Sequence, residues 1–420
     1  MTHRDADGVR LLTGPEAGDL LRAAAERAGG VLGQWRLEHV DTEPERATTA
    51  TFTATVRWPE GPRVELLGAS VRVGGPSHSD QRAEIFDDGH QQVAVWIHPD
   101  DPDLPSLRDV AFPDAVARLL VEWGVVRGPL RPSDVRLRML TYRPRRRAVL
   151  RADVRRGAVT LTLFLKVLRP DAAAALVSRH QQLRLAGVPA PQVVAAAPGL
   201  VALLASPGRP LSERIYQAGL PVPADHLLTL LDALPPAALE WTRRPPWSDS
   251  LAYYAGVIAR TVPAEGKRLE GLVPAILGGL AGAPGGPEVV THGDFHEGQL
   301  QVDAGRVVGL LDVDTLGPGR RVDDLACLVA HLSTVQRMSR AQAERLQAVL
   351  DDWVPVFDRT VDPVELRLRA AAVAVSLATG PFRSQEPGWP ASTSRILDAA
   401  ERLAGQVLRP GSHRRPVSLR

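Results

Sequence analysis

Apolar and polar residues alternate in several stretches of the first 130 residues, and turn residues separate these stretches. Residues 51–58 (TFTATVRW), 64–73 (VELLGASVRV) and 91–98 (QQVAVWIH) have the two-residue period of strands, with Gly, Pro and Asp between them. Residues 15–29 and 113–123 have the spacing of amphipathic helices. We therefore predict an antiparallel sheet with flanking helices, a mixed α+β domain, over residues 1–130. No residue in it has a catalytic pattern.

A second group of strands begins near residue 131. The patterns predict the order β-β-β-α-β-β, at residues 136–142, 148–154, 159–168, 171–186, 193–197 and 200–205. Asp171 is the predicted N-cap of the helix. We expect one small sheet with one helix over residues 131–206. From residue 207 to 420 the pattern is mainly helical, with a single predicted hairpin at 300–302 and 306–311.

Composition limits the class of protein. Apolar residues make up 44% and charged residues 23% of the chain, which is ordinary for a globular protein. No apolar run is long enough to span a bilayer, and the first residues lack the pattern of a signal peptide, so we expect a cytoplasmic protein without a membrane partner. The single cysteine, Cys327, excludes an internal disulfide and a cysteine-rich zinc site.

The charge gives no sign of a nucleic-acid partner. The net charge is only +2, and the one dense basic run, residues 143–151, is short and lacks interleaved aromatic residues. Nearly all basic residues are arginine, and asparagine is absent. The two lysines, Lys166 and Lys267, therefore stand out.

One segment has the residues that phosphoryl transfer requires. Asp294 lies in the loop before the predicted hairpin, Gln299 follows five residues later, and Asp312 ends the second hairpin strand. This order matches a kinase catalytic loop, in which an Asp precedes a metal-binding amide and a second Asp follows on the next hairpin. A carboxylate can accept the proton of an attacking hydroxyl, and two hard oxygen ligands suit Mg²⁺.

Lys166 is the second chemical signal. It lies in the apolar strand at 159–168, where an unpaired buried charge would be costly. The alternative is a solvated lysine on an edge strand. We favour a contact with phosphate, because the third strand of the small kinase sheet carries such a lysine.

Three motifs resemble the aminoglycoside phosphotransferase and choline kinase superfamily over residues 135–405. They are HGDFHEGQ at 292–299, LLDVDTLGPGRRVDDLA at 310–326 and VPAPQVV at 188–194. Gln299 and the N-terminal domain make the chain most similar to actinobacterial maltokinases and glucosamine kinases. The resemblance implies a protein-kinase-like fold of two lobes, with an extra N-terminal cap at 1–130, a small lobe at 131–206 and a helical lobe at 207–420.

The resemblance also implies roles for the residues of the phosphate site. Asp294 would be the catalytic base, and the magnesium ligands would be Gln299 and Asp312, with Asp314 as an additional candidate. The cleft between the lobes would hold Mg-ATP. The predicted ATP contacts are Lys166, the hinge residues Leu204, Ala205 and Ser206, and Arg145 in the turn that would cover the phosphates.

The acceptor is less defined. We expect a small molecule, a sugar or amino sugar, in the helical lobe, with contacts from His296, Glu297, Arg383 and Trp389. An antibiotic kinase of the aminoglycoside type is an alternative. A pseudokinase is another, because the helix at 171–186 has no carboxylate after Asp171 to pair with Lys166. The spacing of His292 and His296 also suggests a zinc site, but the sequence offers no third ligand.

Overall fold

The computed structural model describes residues 7–87, 91–217, 219, 221–336 and 338–408. The chain forms two compact units. The first contains Met1–Ser178, Gln192–Ala205 and Arg383–Gln385, and the second contains Arg179–Pro191, Ser206–Phe382 and Glu386–Arg420. None of the helices in the described ranges combines the length and the apolar character needed to cross a bilayer.

The first unit begins with a five-stranded antiparallel sheet in the order β1-β2-β3-β5-β4. Its elements are α1 (Val9–Thr13), α2 (Ala17–Arg27), β1 (Val31–Glu43), β2 (Ala47–Trp58), β3 (Gly61–Arg72), β4 (Glu84–Asp87), β5 (Gln92–Ile97) and α3 (Pro113–Glu122). The predicted strands and helices are all present. The pattern missed α1, β1 and β4. The residues of β1 are mostly exposed or half-buried and therefore lack a clear apolar alternation.

A second antiparallel sheet completes this unit, in the order β6-β7-β8-β10-β9. The elements are β6 (Val135–Arg143), β7 (Arg147–Arg156), β8 (Val159–Leu168), α4 (Ala172–Leu185), β9 (Val193–Ala197) and β10 (Leu200–Leu204). Leu150, Leu163 and Leu165 of this sheet share one hydrophobic core with Leu107 and Leu120. Residues on both sides of position 130 therefore pack together.

The second unit is mainly helical. Its elements are β11 (Arg209–Pro210), α5 (Leu211–Arg214), α6 (Ala224–Asp232), α7 (Leu251–Thr261), α8 (Gly266–Leu280), β12 (Glu288–Thr291), β13 (Leu300–Asp303), β14 (Arg306–Leu310), β15 (Gly317–Arg320), α9 (Arg321–Thr334), α10 (Arg340–Phe357), α11 (Pro363–Leu377), α12 (Gly380–Arg383) and α13 (Trp389–Leu408). The buried helices α9 and α11 provide its centre.

The hairpin of β13 and β14 is present as predicted, but it is not the only sheet structure in this unit. Strand β11 pairs with β13, and β12 pairs with β15 in a separate two-stranded sheet. Residues 317–320 (GPGR) escaped prediction because Gly and Pro disfavour strands. The α+β class predicted from the sequence is confirmed.

Candidate active site

The loop between β12 and β13 is held by a buried carboxylate of α9. The backbone N–H groups of His292 and Gly293 each donate to Asp324, at 2.9 Å, and Asp324 is fully buried. Gly293 has φ 81°, and a Cβ there would lie 2.9 Å from the carbonyl oxygen of Thr315. Two bonds to a carboxylate are strong, so the backbone just before Asp294 is fixed in place.

Asp294 itself is oriented by a tryptophan from a distant part of the sequence. Trp247 Nε1 donates to Asp294 Oδ1 at 3.2 Å, and Cys327 Sγ lies 3.9 Å from the same oxygen. The Asp294 side chain retains 24% exposure. Burial, and then the charge of Asp294, raises the pKa of the Cys327 thiol well above its usual range. Asp294 is therefore a positioned carboxylate that is still open to a reactant.

Gln299 and Asp312 meet at the end of the hairpin. The N–H of Leu311 donates to the carbonyl oxygen of Gln299 at 2.8 Å, which places Asp312 next to Gln299 along the ladder. Asp312 has the left-handed backbone conformation, with φ 50°. Such conformations cost energy in a residue other than glycine and are frequent at functional sites. Asp314 follows in a short helical turn, and its carbonyl oxygen accepts from Arg179 Nη1 at 2.8 Å.

His296 orients the amide of Gln299. His296 Nδ1 accepts from the N–H of Gly298 at 3.1 Å, so the neutral ring carries its proton on Nε2. Gln299 Nε2 lies 3.0 Å from His296 Nε2, and because both nitrogens carry hydrogen in this tautomer, a hydrogen bond forms only when the amide is rotated to present its oxygen. The His296 ring also stacks on His331, with centroids 4.1 Å apart. Burial, and then the electrostatic effect of the adjacent His296, lowers the pKa of His331 to about 3.

Glu297 is the neighbouring acidic residue. Burial is the main cause that raises its pKa. Its Oε2 atom is buried and has no hydrogen-bond partner among the residues that the structure describes. The nearest imidazole nitrogen, His296 Nδ1, is 3.9 Å away, which is beyond hydrogen-bond distance. A ligand group that donates a hydrogen bond would satisfy this oxygen.

Lys166 lies in the first unit on β8, the central strand of its sheet. It pairs with Val149 of β7 and Val201 of β10, and it is only 6% exposed. The alternative of a solvated lysine on an edge strand is therefore wrong. Farther along the chain, the N–H of Ala205 donates to the carbonyl oxygen of Thr162 at 3.1 Å, and the division between the two units follows Ala205.

The guanidinium of Arg145 is not placed to bind phosphate, contrary to our expectation. It is 3% exposed and pairs with Asp80 and with Asp103, and it lies over the ring of Trp96 at 4.9 Å. Its backbone N–H donates to Asp101 at 2.8 Å. Residue 145 has φ 63°, which turns the side chain into this network. Arg145 therefore ties the turn to the first sheet of its own unit.

Arg383 and Trp389 are also engaged within the protein. Arg383 donates to Asp41 through Nε at 3.0 Å and Nη2 at 2.8 Å. Although burial alone would raise the pKa of Asp41, the His39 hydrogen bond and the Arg383 charge hold it well below its usual range. The Trp389 ring packs edge-on against Phe382 at 5.1 Å. Both predicted acceptor contacts thus have structural partners.

Sequence reasoning missed three residues of this site: Trp247, Cys327 and His331. Trp247 had no local signal, since its contact with Asp294 spans 47 positions. Cys327 and His331 had a local signal, because positions 324, 327 and 331 have the spacing of residues on one face of a helix. His292 braces the loop, since its Nε2 atom lies 2.8 Å from the Leu311 carbonyl oxygen.

The family of phosphotransferase enzymes described as APH matches residues 141–359, which is more than half of the chain. The chain belongs to this family. The superfamily and the class of enzyme, a small-molecule phosphotransferase, are thereby confirmed, and so is the predicted use of ATP and Mg²⁺. The narrower resemblance to maltokinases and glucosamine kinases stays a prediction. No curated protein matches the phosphotransferase chain significantly.

Several solved structures are similar to this phosphotransferase. Macrolide 2′-phosphotransferase MphH from Brachybacterium faecium is 17% identical, over 69% of this chain and 98% of that chain, with a TM-score of 0.43. Choline kinase from Cryptosporidium parvum is 10% identical, over 71% and 98%, with a TM-score of 0.47. Aminoglycoside phosphotransferase APH(4)-Ia, in complex with AMP-PNP and hygromycin B, is 18% identical, over 69% and 98%, with a TM-score of 0.46.

Proposed function

We propose that this phosphotransferase moves the γ-phosphate of ATP to a hydroxyl group of a sugar or amino sugar, with Asp294 as the base. The observation that carries the proposal is the fixed position of Asp294. Asp324 holds the backbone of its loop, and Trp247 holds one oxygen of its carboxylate. A partly exposed carboxylate with a fixed direction suits general-base catalysis.

The ligands at the hairpin end fit Mg²⁺. Gln299 offers an amide oxygen and Asp312 a carboxylate, and both are hard oxygen donors. His296 lies beside the Gln299 amide, and the backbone hydrogen bond from Leu311 to Gln299 places Asp312 one residue beyond this pair. Mg²⁺ held by these ligands would neutralise charge on the phosphates. Asp314 stays a further candidate.

The protein's own groups perform the remaining tasks. The acceptor hydroxyl gives its proton to the Asp294 carboxylate as its oxygen attacks the γ-phosphorus, and the bond between this phosphorus and the β–γ bridging oxygen breaks so that ADP leaves. Trp247 keeps the receiving carboxylate in the direction that the attack requires. Lys166 contributes a positive charge to the ATP phosphates.

Aromatic rings beside Asp294 support a sugar as the acceptor. The Trp247 and Tyr254 rings lie 6.0 Å apart, and Tyr253 packs edge-on against Tyr254 at 5.1 Å. Aromatic rings pack well against the apolar faces of sugar rings. The buried oxygen of Glu297 lacks a donor in the described structure, and a hydroxyl or amino group of the acceptor can provide one.

An aminoglycoside-type antibiotic is the second candidate acceptor. The observation that favours it is the pair of carboxylates Asp294 and Glu297, which act on each other electrostatically and suit a cationic molecule. A sugar and an antibiotic would use the same base and metal ligands.

The test is ADP release from Mg-ATP with free sugars, amino sugars, maltose, choline and aminoglycosides, using Asp294→Asn as the matched control. We expect one class of acceptor to give turnover, and the variant to lose several orders of magnitude in rate. Binding of Mg-ATP without turnover on any acceptor would support the pseudokinase instead. Turnover that survives in Asp294→Asn would refute the role of this residue.

A further inference from the structure

The helix that braces the catalytic loop presents two further side chains along the same stripe. Asp324, Cys327 and His331 lie at positions i, i+3 and i+7 of α9, which is a single face of a helix. Asp324 bonds the backbone of the loop, so the next two side chains along this face come close to the residues of the loop. This arrangement brings a thiol and an imidazole to Asp294.

Ligand atoms of three residues meet there. One carboxylate oxygen of Asp294, Cys327 Sγ and an imidazole nitrogen of His331 all lie within 4.8 Å of one another. The Sγ atom is 3.9 Å from Asp294 Oδ1. Ligands of a tetrahedral zinc ion, with bonds of about 2.0–2.3 Å, are roughly 3.5 Å apart. Side-chain movements of less than about 1 Å would therefore complete the geometry.

A second possible set, His296, Glu297 and His331, is also within 4.8 Å but fits poorly. A metal ion lies in the plane of each imidazole that binds it. The rings of His296 and His331 are 4.1 Å apart and nearly parallel, with an angle of 5°. Two stacked rings cannot both direct a nitrogen at one ion, so the set with Cys327 is preferred.

We propose that Asp294, Cys327 and His331 form a binding site for a soft divalent cation of the zinc type, distinct from the Mg²⁺ ligands Gln299 and Asp312. Thiolate and imidazole select such ions, whereas Mg²⁺ prefers oxygen ligands and keeps its water. The charges of Asp324 and Glu297 also act on Cys327, and this negative surrounding attracts a cation.

Binding has two chemical consequences. The thiol becomes a thiolate bound to the metal, and its proton passes to the solvent buffer. The ion also occupies the carboxylate of Asp294, so it blocks the base. The site is thus a means by which a soft metal ion inhibits phosphoryl transfer. The binding does not depend on the proposed function, but this inhibition does.

The single cysteine of the chain makes the test specific. Co²⁺ bound to a thiolate absorbs strongly in the near ultraviolet by charge transfer, and only Cys327 can give this band. We would titrate the metal-free, full-length protein with Co²⁺ and record absorbance and proton release. The variants are Cys327→Ser and His331→Gln, and the matched control is His226→Gln, an exposed histidine of α6 outside the cluster.

We expect the band to saturate at one equivalent with release of a proton, and to persist in excess Mg²⁺. It should vanish in Cys327→Ser, weaken at least about tenfold in affinity in His331→Gln, and be unchanged in His226→Gln. Near-ultraviolet circular dichroism of each metal-free variant verifies its fold. Absence of the band in the folded wild type, or its displacement by Mg²⁺, would overturn the proposal.

A second measurement addresses inhibition. With the acceptor that gives turnover, Zn²⁺ at the concentration that saturates the site should abolish activity in the wild type. For Cys327→Ser, the Zn²⁺ concentration that halves the variant's own metal-free rate should be at least about tenfold higher than for the wild type. Equal inhibition of both proteins would contradict the site. If no acceptor gives turnover, the proposed function fails, while the spectral titration still decides whether the metal binds.

Discussion

The hydrogen bond between Trp247 and Asp294 offers the sharpest test of how the base is positioned. Trp247→Phe removes the Nε1–H donor, which lies 3.2 Å from Asp294 Oδ1. It keeps an aromatic ring at the position, where the indole packs 6.0 Å from the Tyr254 ring. The change therefore removes the bond and preserves most of the packing.

The expected loss follows from the strength of the bond and the exposure of its acceptor. A hydrogen bond to a charged group contributes about 1.5–3 kcal/mol. The Asp294 side chain is 24% exposed, so water replaces part of the lost bond and the lower half of that range applies. A loss of about 1.5–2 kcal/mol in the transition state corresponds to a kcat lower by about 10–30-fold.

A matched control separates this effect from a general loss of stability. Trp353 Nε1 donates to the carbonyl oxygen of Val222 at 3.0 Å in the core of the same unit. Trp353→Phe should lower stability by about 1–3 kcal/mol and leave kcat within about twofold. Initial rates of ADP release, at saturating Mg-ATP and acceptor, give kcat for both variants. An unchanged kcat in Trp247→Phe, or equal losses in both variants, would refute the positioning role.

Three further predictions concern other contacts. Asp324→Asn retains one oxygen for the two backbone donors of the loop, so we expect kcat to fall about 30-fold or more, from a loss of about 2 kcal/mol; wild-type rates in a folded variant would contradict this. The neutral state of His331, whose pKa is about 3, means that the unfolded chain binds one more proton below pH 6.5. The free energy of unfolding should therefore fall as the pH decreases, and His331 should account for about 2 kcal/mol of this fall at pH 5. Urea unfolding of His331→Gln should show a pH dependence that is smaller by this amount. Arg145→Met leaves the buried Asp80 without its cation, whereas Asp103 keeps Arg72, so we expect the free energy of unfolding in urea to fall by about 3–5 kcal/mol; a loss below about 1 kcal/mol would show that the pair is dispensable.

The elements of the fold that alternation or helical spacing could reveal were predicted well. Strand β8 has the predicted bounds, and β6, β7 and β10 differ from theirs by one or two residues. Strand β15 was missed because its sequence, GPGR, contains no strand-forming residue and depends on pairing with β12. Local patterns therefore identify strands whose own side chains are buried, but they miss strands that form only because they pair with another strand.

The proposed catalytic loop stands out in the sequence because its residues are close together along the chain. Asp294 and Gln299 belong to one motif, and the hairpin returns Asp312 to them. Arg145 was misassigned because its partners, Asp80 and Asp103, lie 65 and 42 positions away. An arginine in a turn looks solvated when such long-range partners are unknown.

The acceptor could not be predicted from the sequence, because the contacts of the residues concerned also join segments that are far apart along the chain. Trp247 is brought to the base by the packing of the helical unit, and neither its spacing nor its surrounding residues indicate that contact. Arg383 was a reasonable acceptor contact in a polar break between helices, yet it pairs with Asp41, 342 positions earlier. The residues proposed to contact the acceptor come from several segments, whereas the proposed base and metal ligands come from one.

The most direct test of the central claim is phosphorus NMR of a reaction with Mg-ATP and the acceptor that gives turnover. We predict that a phosphomonoester of the acceptor forms in equal amount to ADP with the wild type, and that Asp294→Asn forms neither at a comparable rate. Free phosphate in place of the monoester would mean that water, not a hydroxyl of the acceptor, is attacked. A monoester formed equally well by Asp294→Asn would contradict the assignment of Asp294 as the base.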